Sequence, residues 1–286
     1  GSDTFTRFIN VIGSSAGDLI IGDSANNSIS AGMGADTVTG GLGSNTLDGG
    51  DGVDVLTYES FASAVTVDLG AGSASGAGVT DSIASFENVI GSSESDLIIG
   101  DDNNNSISAG MGNDTVAGGG GNDTLDGGAG TNTLTYEELA SSVFVNLAAG
   151  TTGTTLGNDS FTGFINVIGS NSSDSMIGDG SANSIRGLDG ADTIQGAAGN
   201  DTIDAGSGDD LVLGGSGADS LVGGTGVNTL SYSDASNGIS VNLASGTANG
   251  GAFGNDTFTG FINVIGSGNS DSIIGEIGRA SCRERV

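Results

Sequence analysis

Apolar residues recur along this chain every nine positions. Ile20, Ile29, Val38, Leu47 and Leu56 form one series, and Ile98, Ile107, Val116, Leu125 and Leu134 form a second. Each sits in the middle of a triplet such as Thr46-Leu47-Asp48, preceded by six residues rich in glycine and small polar side chains. The triplet suits a three-residue strand whose central side chain faces inward. The glycine-rich six suit a sharp turn, because glycine adopts freely the φ values that such a turn needs. Rows of this kind begin at 13, 22, 31, 40 and 49, again at 91, 100, 109, 118 and 127, and finally at 169, 178, 187, 196, 205, 214 and 223.

A longer period lies over the short one. Asp3, Asp81, Asp159 and Asp256 fall in register with spacings of 78, 78 and 97, the last lengthened by two rows and one residue. The expected organisation is a first module at 1–78 (rows 13–57, spacer 58–78), a second at 79–156 (rows 91–135, spacer 136–156) and a third at 157–253 (rows 169–231, spacer 232–253). A partial fourth follows at 254–275. The spacer pattern, seen at 58–90, 136–168 and 232–265, opens as YESFASAVTVDLG, YEELASSVFVNLA or YSDASNGISVNLA and closes on FENVIGS or FINVIGS. Alternation at Val65, Val67 and Leu69 predicts a short strand, and the closing phrase predicts another. Tyr58, Tyr136 and Tyr232 with Phe86, Phe164 and Phe261 are expected to cap the apolar seam, with a carbohydrate-stacking surface as the alternative. Asp81, Asp159 and Asp256 read as turn residues rather than as an acid pair.

Composition narrows the function. The chain has 286 residues, 56 of them Gly and 28 Asp against 7 Glu, with no His, Pro, Trp or Lys and a formal charge of −30. Such a field repels nucleic acid and anionic lipid and attracts cations. Without His there is no Ser-His-Asp triad and no His-ligated zinc or haem, and no apolar run reaches the length of a membrane span. No catalytic arrangement is recognisable. Residues 276–286, EIGRASCRERV, hold three of the five Arg and the one Cys and match nothing earlier. They resemble the in-frame translation of a short-read sequencing adapter and are set aside. The first residues repeat 254–267, so the chain reads as a fragment that starts inside a repeat.

Rows such as GGLGSNTLD (40–48), GGGGNDTLD (118–126) and GGSGADSLV (214–222) resemble the G-G-x-G-x-D-x-U-x nonapeptide of RTX, or haemolysin-type, calcium-binding proteins. The resemblance implies an all-β fold: parallel β-roll or β-helix solenoid blocks, two rows to a turn, joined by short β spacers. It also implies calcium bound between stacked loops. Calcium takes six to eight oxygens, which loop carbonyls and position-six carboxylates would supply.

Carried onto this chain, position six reads Asp18, Asn27, Asp36, Asn45 and Asp54 in the first module, so one edge bears carboxylates and the other amides. The second module has Asp96, Asn105, Asp114, Asp123 and Asn132. The third has Asp174, Asn183, Asp192, Asp201, Asp210, Asp219 and Asn228 and is expected to bind calcium best. The loop glycines that join these aspartates as expected ligands are Gly32, Gly34, Gly50, Gly52, Gly110, Gly112, Gly119, Gly121, Gly190, Gly199, Gly206, Gly208, Gly215 and Gly217. Asp23, Asp101 and Asp179 are candidates for edge ligands or for solvated turns. The alternative for the whole set is that Asp and Asn merely shape turns. Against it, stacked carboxylates without Lys or Arg partners repel one another.

The expected function is a non-enzymatic, calcium-binding segment that folds on extracellular calcium within a large secreted or cell-surface bacterial protein, adhesin or toxin-like. The resemblance implies type I secretion machinery as a partner. The alternatives are the C-terminal region of a secreted RTX enzyme, such as a protease, lipase or epimerase, and a repeat that binds a glycan or cell-surface ligand. Ice binding ranks last, because position seven varies among Thr, Ser, Leu and Val.

Overall fold

The computed structural model of the chain describes residues 9–76, 78–155, 157–275 and 281–283. Within these the protein is all-β apart from one 3₁₀ turn at Gly251–Phe253, and no helix is long and apolar enough to cross a membrane. Two compact units separate, one comprising Gly1–Thr133 with Leu156–Phe164, the other Leu134–Thr155 with Ile165–Val286. The leading Asp3 of the 78-residue register lies outside the described residues.

In each unit the rows fold as the nine-residue period predicts. Consecutive rows alternate between two parallel sheets, so strands pair with those 18 residues on. In the first unit Asn10–Ile12 pairs with Ser28–Gly34, which pairs with Thr46–Gly52, while Leu19–Ile21, Thr37–Thr39 and Val55–Thr57 stack in the other sheet. In the second unit Ser184–Arg186, Thr202–Asp204 and Ser220–Val222 form one stack, and Ser175–Ile177, Thr193–Gln195, Leu211–Leu213 and Thr229–Ser231 the other. The central residue of each triplet points between the sheets, where Val38, Leu56, Ile98, Ile194 and Val212 are fully buried. Burying that seam drives the stacking, since an isolated three-residue strand has almost no stability of its own.

The spacers keep the parallel direction by an antiparallel detour. In the first unit Val65–Asp68, Ser73–Gly76 and Val79–Ala84 form a three-stranded meander. Its outer strands necessarily run the same way, so Val79–Ala84 pairs in parallel with Thr46–Gly52 and Val65–Asp68 with Leu97–Ile99. Ser240–Asn242, Thr247–Asn249 and Asn255–Thr259 repeat the device in the second unit. The closing phrase is a strand as expected, for example Asn88–Ile90 stacked on Val55–Thr57. Tyr58, Tyr136, Tyr232, Phe86, Phe164 and Phe261 are all buried, so they close the seam instead of presenting an aromatic face. Edge-to-face contacts such as Tyr58–Phe61 and Phe258–Phe261, at 5.2 and 6.1 Å between ring centroids, fix their packing. Of the tail set aside above, Ser281–Arg283 pairs in parallel with Asn263–Ile265, and the remainder lies outside the described residues.

Candidate metal centre

Each row turns where glycine permits it. Gly32, Gly34, Gly110, Gly112, Gly119, Gly121, Gly190, Gly199, Gly206, Gly208, Gly215 and Gly217 all have φ between 92° and 145°, as does Gly50 at 95°. Gly52 is the exception among the expected ligand glycines, since its φ is not positive. Its carbon nonetheless lies against a neighbouring loop, and a Cβ there would meet the carbonyl oxygen of Gly34. The loops thus stack backbone on backbone, one turn directly over the next. Part of that backbone is already committed: the carbonyls of Gly110 and Gly206 accept from Ala129 and Thr225, each at 2.9 Å.

The position-six side chains form ladders along the two edges. The backbone N–H of Asp18 donates to Oδ1 of Asp36 at 2.7 Å, and that of Asp36 to Oδ1 of Asp54 at 2.8 Å. Asp174 donates in the same way to Asp192, and Asp192 to Asp210, at 2.8 and 2.9 Å. On the other edge Asn183 donates to Asp201 and Asp201 to Asp219, at 2.8 and 2.9 Å. The carboxylate is held by one oxygen. The other oxygen, Oδ2, of Asp36, Asp54, Asp114, Asp123, Asp192, Asp201, Asp210 and Asp219 is sealed from solvent and has no hydrogen-bond partner. Burying a carboxylate oxygen without a donor or counter-charge is strongly unfavourable, so these eight atoms require a cation or a proton.

Burial pushes these acids toward the protonated form. It raises Asp192 to about 7, with the neighbouring charges of Asp174 and Asp210 adding to it, and Asp201 to about 6. Asp123 rises to about 7 for the same first reason. Asp54, Asp114, Asp210 and Asp219 move in the same direction through burial.

The first row of a block differs. Both oxygens of Asp96 are occupied, Oδ1 by Val65 N–H and the Ser92 hydroxyl at 2.8 Å each, Oδ2 by Ser92 N–H at 2.6 Å. Asp174 is held identically by Val143 and Ser170. Asp18 accepts from Ser14 N–H at 2.6 Å. Asp23, Asp101 and Asp179 close turns, each accepting from the N–H two residues on, which matches the solvated-turn alternative.

The spacer aspartates are not turn residues. Asp81, Asp159 and Asp256 are buried and continue the ladders, accepting from the N–H groups of Asn45, Asp123 and Asp219 at 2.9, 3.1 and 3.0 Å. The signal was present in the sequence: Gly157-Asn158-Asp159-Ser160-Phe161-Thr162 and Gly254-Asn255-Asp256-Thr257-Phe258-Thr259 copy positions four to nine of a row. Their strands stack on Thr124–Asp126 and Ser220–Val222 in row register. Two further groups escaped the sequence reading. Glu87 Oε2 accepts from Asp54 N–H at 2.8 Å, and the hydroxyls of Tyr58 and Tyr232 donate to Oδ2 of Asp81 and Asp256 at 3.0 and 2.8 Å.

Among the described residues no group of three or more Asp, Glu, His or Cys side chains gathers as a metal set. Carboxylates arrive one per row, so backbone carbonyls must supply the rest of any shell. That donor set is all oxygen and suits a hard cation of high coordination number. The family model for the RTX calcium-binding nonapeptide repeat matches residues 12–47, 32–61, 86–116, 99–134, 168–203 and 195–230, over half of the chain. The chain belongs to this RTX repeat family. It is therefore a calcium-binding structural repeat region, and the aspartates with sealed oxygens lie within the matched ranges. No curated protein matches the chain.

Proposed function

We propose that this RTX region is a calcium-switched structural segment of a large secreted or cell-surface bacterial protein. It folds outside the cell as calcium fills the ladders. The observation that carries the reading is the set of eight buried, unpartnered Oδ2 atoms. In a calcium-poor cytosol their mutual repulsion and desolvation oppose stacking, which suits export as an unfolded chain through type I secretion machinery. At about a millimolar, extracellular calcium matches sites of Kd roughly 10⁻⁴ to 10⁻³ M, and binding then supplies folding free energy.

The residues proposed to hold calcium are those with a sealed oxygen. Same-edge neighbours 18 residues apart give Asp36 with Asp54, Asp192 with Asp210, and Asp201 with Asp219 as the carboxylate pairs. The stacked loop glycines Gly32, Gly34, Gly50, Gly52, Gly206, Gly208, Gly215 and Gly217 bring carbonyls to those edges. Asp114 follows the satisfied Asp96 on its edge and Asp123 is followed by the spacer aspartate Asp159, and Asp18, Asp96 and Asp174 act as hydrogen-bonded starts of their ladders. Far-ultraviolet circular dichroism of the chain, first in chelator and then through a calcium titration with magnesium as control, tests the reading. A coil spectrum that turns to β only with calcium is expected. A β spectrum already complete in chelator would overturn it.

A further inference from the structure

The ladders do not end as they run. Inside a block, the second carboxylate oxygen faces no donor, but at Asp81 and Asp256 that oxygen is taken by a buried tyrosine hydroxyl. Tyr58 and Tyr232 are 0% and 1% exposed, and burial beside an aspartate drives each phenol well above its usual range, so each remains a donor. Both oxygens of Asp256 are thereby satisfied, Oδ1 by Asp219 N–H and Oδ2 by Tyr232. Directly before it in the ladder, Asp219 keeps a sealed Oδ2 with no partner and is 2% exposed. Asp219 and Asp256 thus form a carboxylate pair in row register, of which one member is withheld.

We propose that Tyr232 sets the number of ions its ladder takes, by placing a hydroxyl where the rows leave an oxygen to calcium, whereas Tyr58 closes a ladder that has no further ion to take. The inference rests on the calcium reading above. It predicts an asymmetry between the two tyrosines. Removing the Tyr232 hydroxyl frees a carboxylate next to Asp219, which completes a pair. Removing that of Tyr58 frees a carboxylate whose ladder neighbour is Asn45, an amide that already donates N–H and Nδ2 to Asp81 at 2.9 and 2.7 Å.

The test is calcium stoichiometry by equilibrium dialysis of the full chain, with circular dichroism confirming that each variant is folded in saturating calcium. Tyr232→Phe is expected to bind one ion more than the wild type, Tyr58→Phe no more. The double variant Tyr232→Phe/Asp256→Asn, which keeps an oxygen acceptor for Asp219 N–H, is expected to return to the wild-type number. An unchanged count in Tyr232→Phe, or an equal gain in both single variants, overturns the proposal while leaving the calcium reading intact. A wild type that binds no calcium overturns both. Should Tyr232→Phe fail to fold, Tyr232→Phe/Asp256→Asn against Asp256→Asn alone decides: a difference of one ion between these two, neither of which retains the Asp256 charge, contradicts a closure acting through that carboxylate.

Discussion

The backbone N–H of Asp36 donates to Oδ1 of Asp54, 18 residues later, at 2.8 Å, and leaves Oδ2 of Asp54 buried without a partner. One oxygen builds the ladder and the other carries the charge that needs a cation. Asn at this position keeps the acceptor and removes the charge. Asp54→Asn is therefore expected to lose one calcium ion from the first block and to weaken calcium-induced folding about tenfold at that block. In chelator the same variant should be more stable than the wild type, because an uncompensated buried charge costs more than a buried amide. Calorimetric calcium titration, and the residual β signal of variant and wild type compared in chelator, check the two halves separately. A variant equally destabilised in both conditions would mean a merely structural aspartate.

The blocks should not respond together. The rows from 187 to 222 contain two pairs of aspartates that both carry a sealed oxygen, Asp192 with Asp210 and Asp201 with Asp219, whereas the first block has one such pair, Asp36 with Asp54, and in the second the sealed oxygens of Asp114 and Asp123 face the satisfied Asp96 and the spacer aspartate Asp159. More charge per site raises affinity for a divalent cation. Hydrogen exchange of the full chain during a calcium titration is expected to protect Thr193–Gln195 and Thr202–Asp204 first, Thr37–Thr39 and Val55–Thr57 next, and Thr115–Ala117 last. Protection that appears first at Thr115–Ala117 would sink this order.

Much of this was legible before any coordinates. The nine-residue spacing of Ile20, Ile29, Val38, Leu47 and Leu56 identified the seam, because only a strand centre repeated at that interval buries one side chain per row. The position-six carboxylates stand out through the resemblance to the RTX nonapeptide, which marks that position of each row. What the pattern concealed was the fate of individual oxygens. Asp96 and Asp114 are both position-six aspartates, yet Ser92 and Val65 occupy both oxygens of the first, whereas the second has only its Oδ1 engaged, by Asp96 N–H, and its Oδ2 without a partner. The rows at Asp159 and Asp256 are harder to see because they sit inside the spacers, out of the tandem nine-residue series, and the strand before Asp256 runs antiparallel to its own. Pairings over 31 to 37 residues, such as Thr66 with Leu97 and Ser220 with Thr257, leave no periodic trace.

Protons should substitute for calcium in the metal-free chain. Asp123 and Asp192 are raised to about 7, and Asp201 and Asp256 to about 6, chiefly by burial, from an ordinary value of 3.8. A carboxyl raised on folding binds protons that the unfolded chain releases. Its stabilising contribution is fully present below pH 3.8 and is lost as the pH rises through 6 to 7. In chelator the chain, a coil near neutral pH, is thus expected to gain β signal at pH 5 that it lacks at pH 8. Calcium added near pH 7 should release protons, measurable in a pH-stat. Greater stability of the metal-free chain at pH 8 than at pH 5 would contradict this assignment of the buried oxygens.

Two rows place a side chain where the turn asks for glycine. Leu188 and Ala197 stand at position two with φ of 78° and 77°, while Gly206 and Gly215 at the same position of later rows have 98° and 95°. An L-residue in this region costs about 1–2 kcal/mol, and glycine gives back about 0.5–1 kcal/mol through its freer unfolded state. Ala197→Gly is therefore expected to stabilise the calcium-loaded fold by about 0.5–1 kcal/mol. The opposite change at position four has no such latitude. Gly208 lies at φ 145°, and an added Cβ would run into the carbonyl of Gly190 in the loop one turn earlier. Gly208→Ala must either open the stacked loops or distort them, at a cost of about 1–3 kcal/mol. Because those loops bring the carbonyls to the Asp192–Asp210 edge, the same variant should lose calcium there, which Ala197→Gly should not. Thermal unfolding in saturating calcium, paired with an ion count for each variant, separates the two effects. If Gly208→Ala kept its full complement of calcium, the stacked loop backbone would not be part of the site.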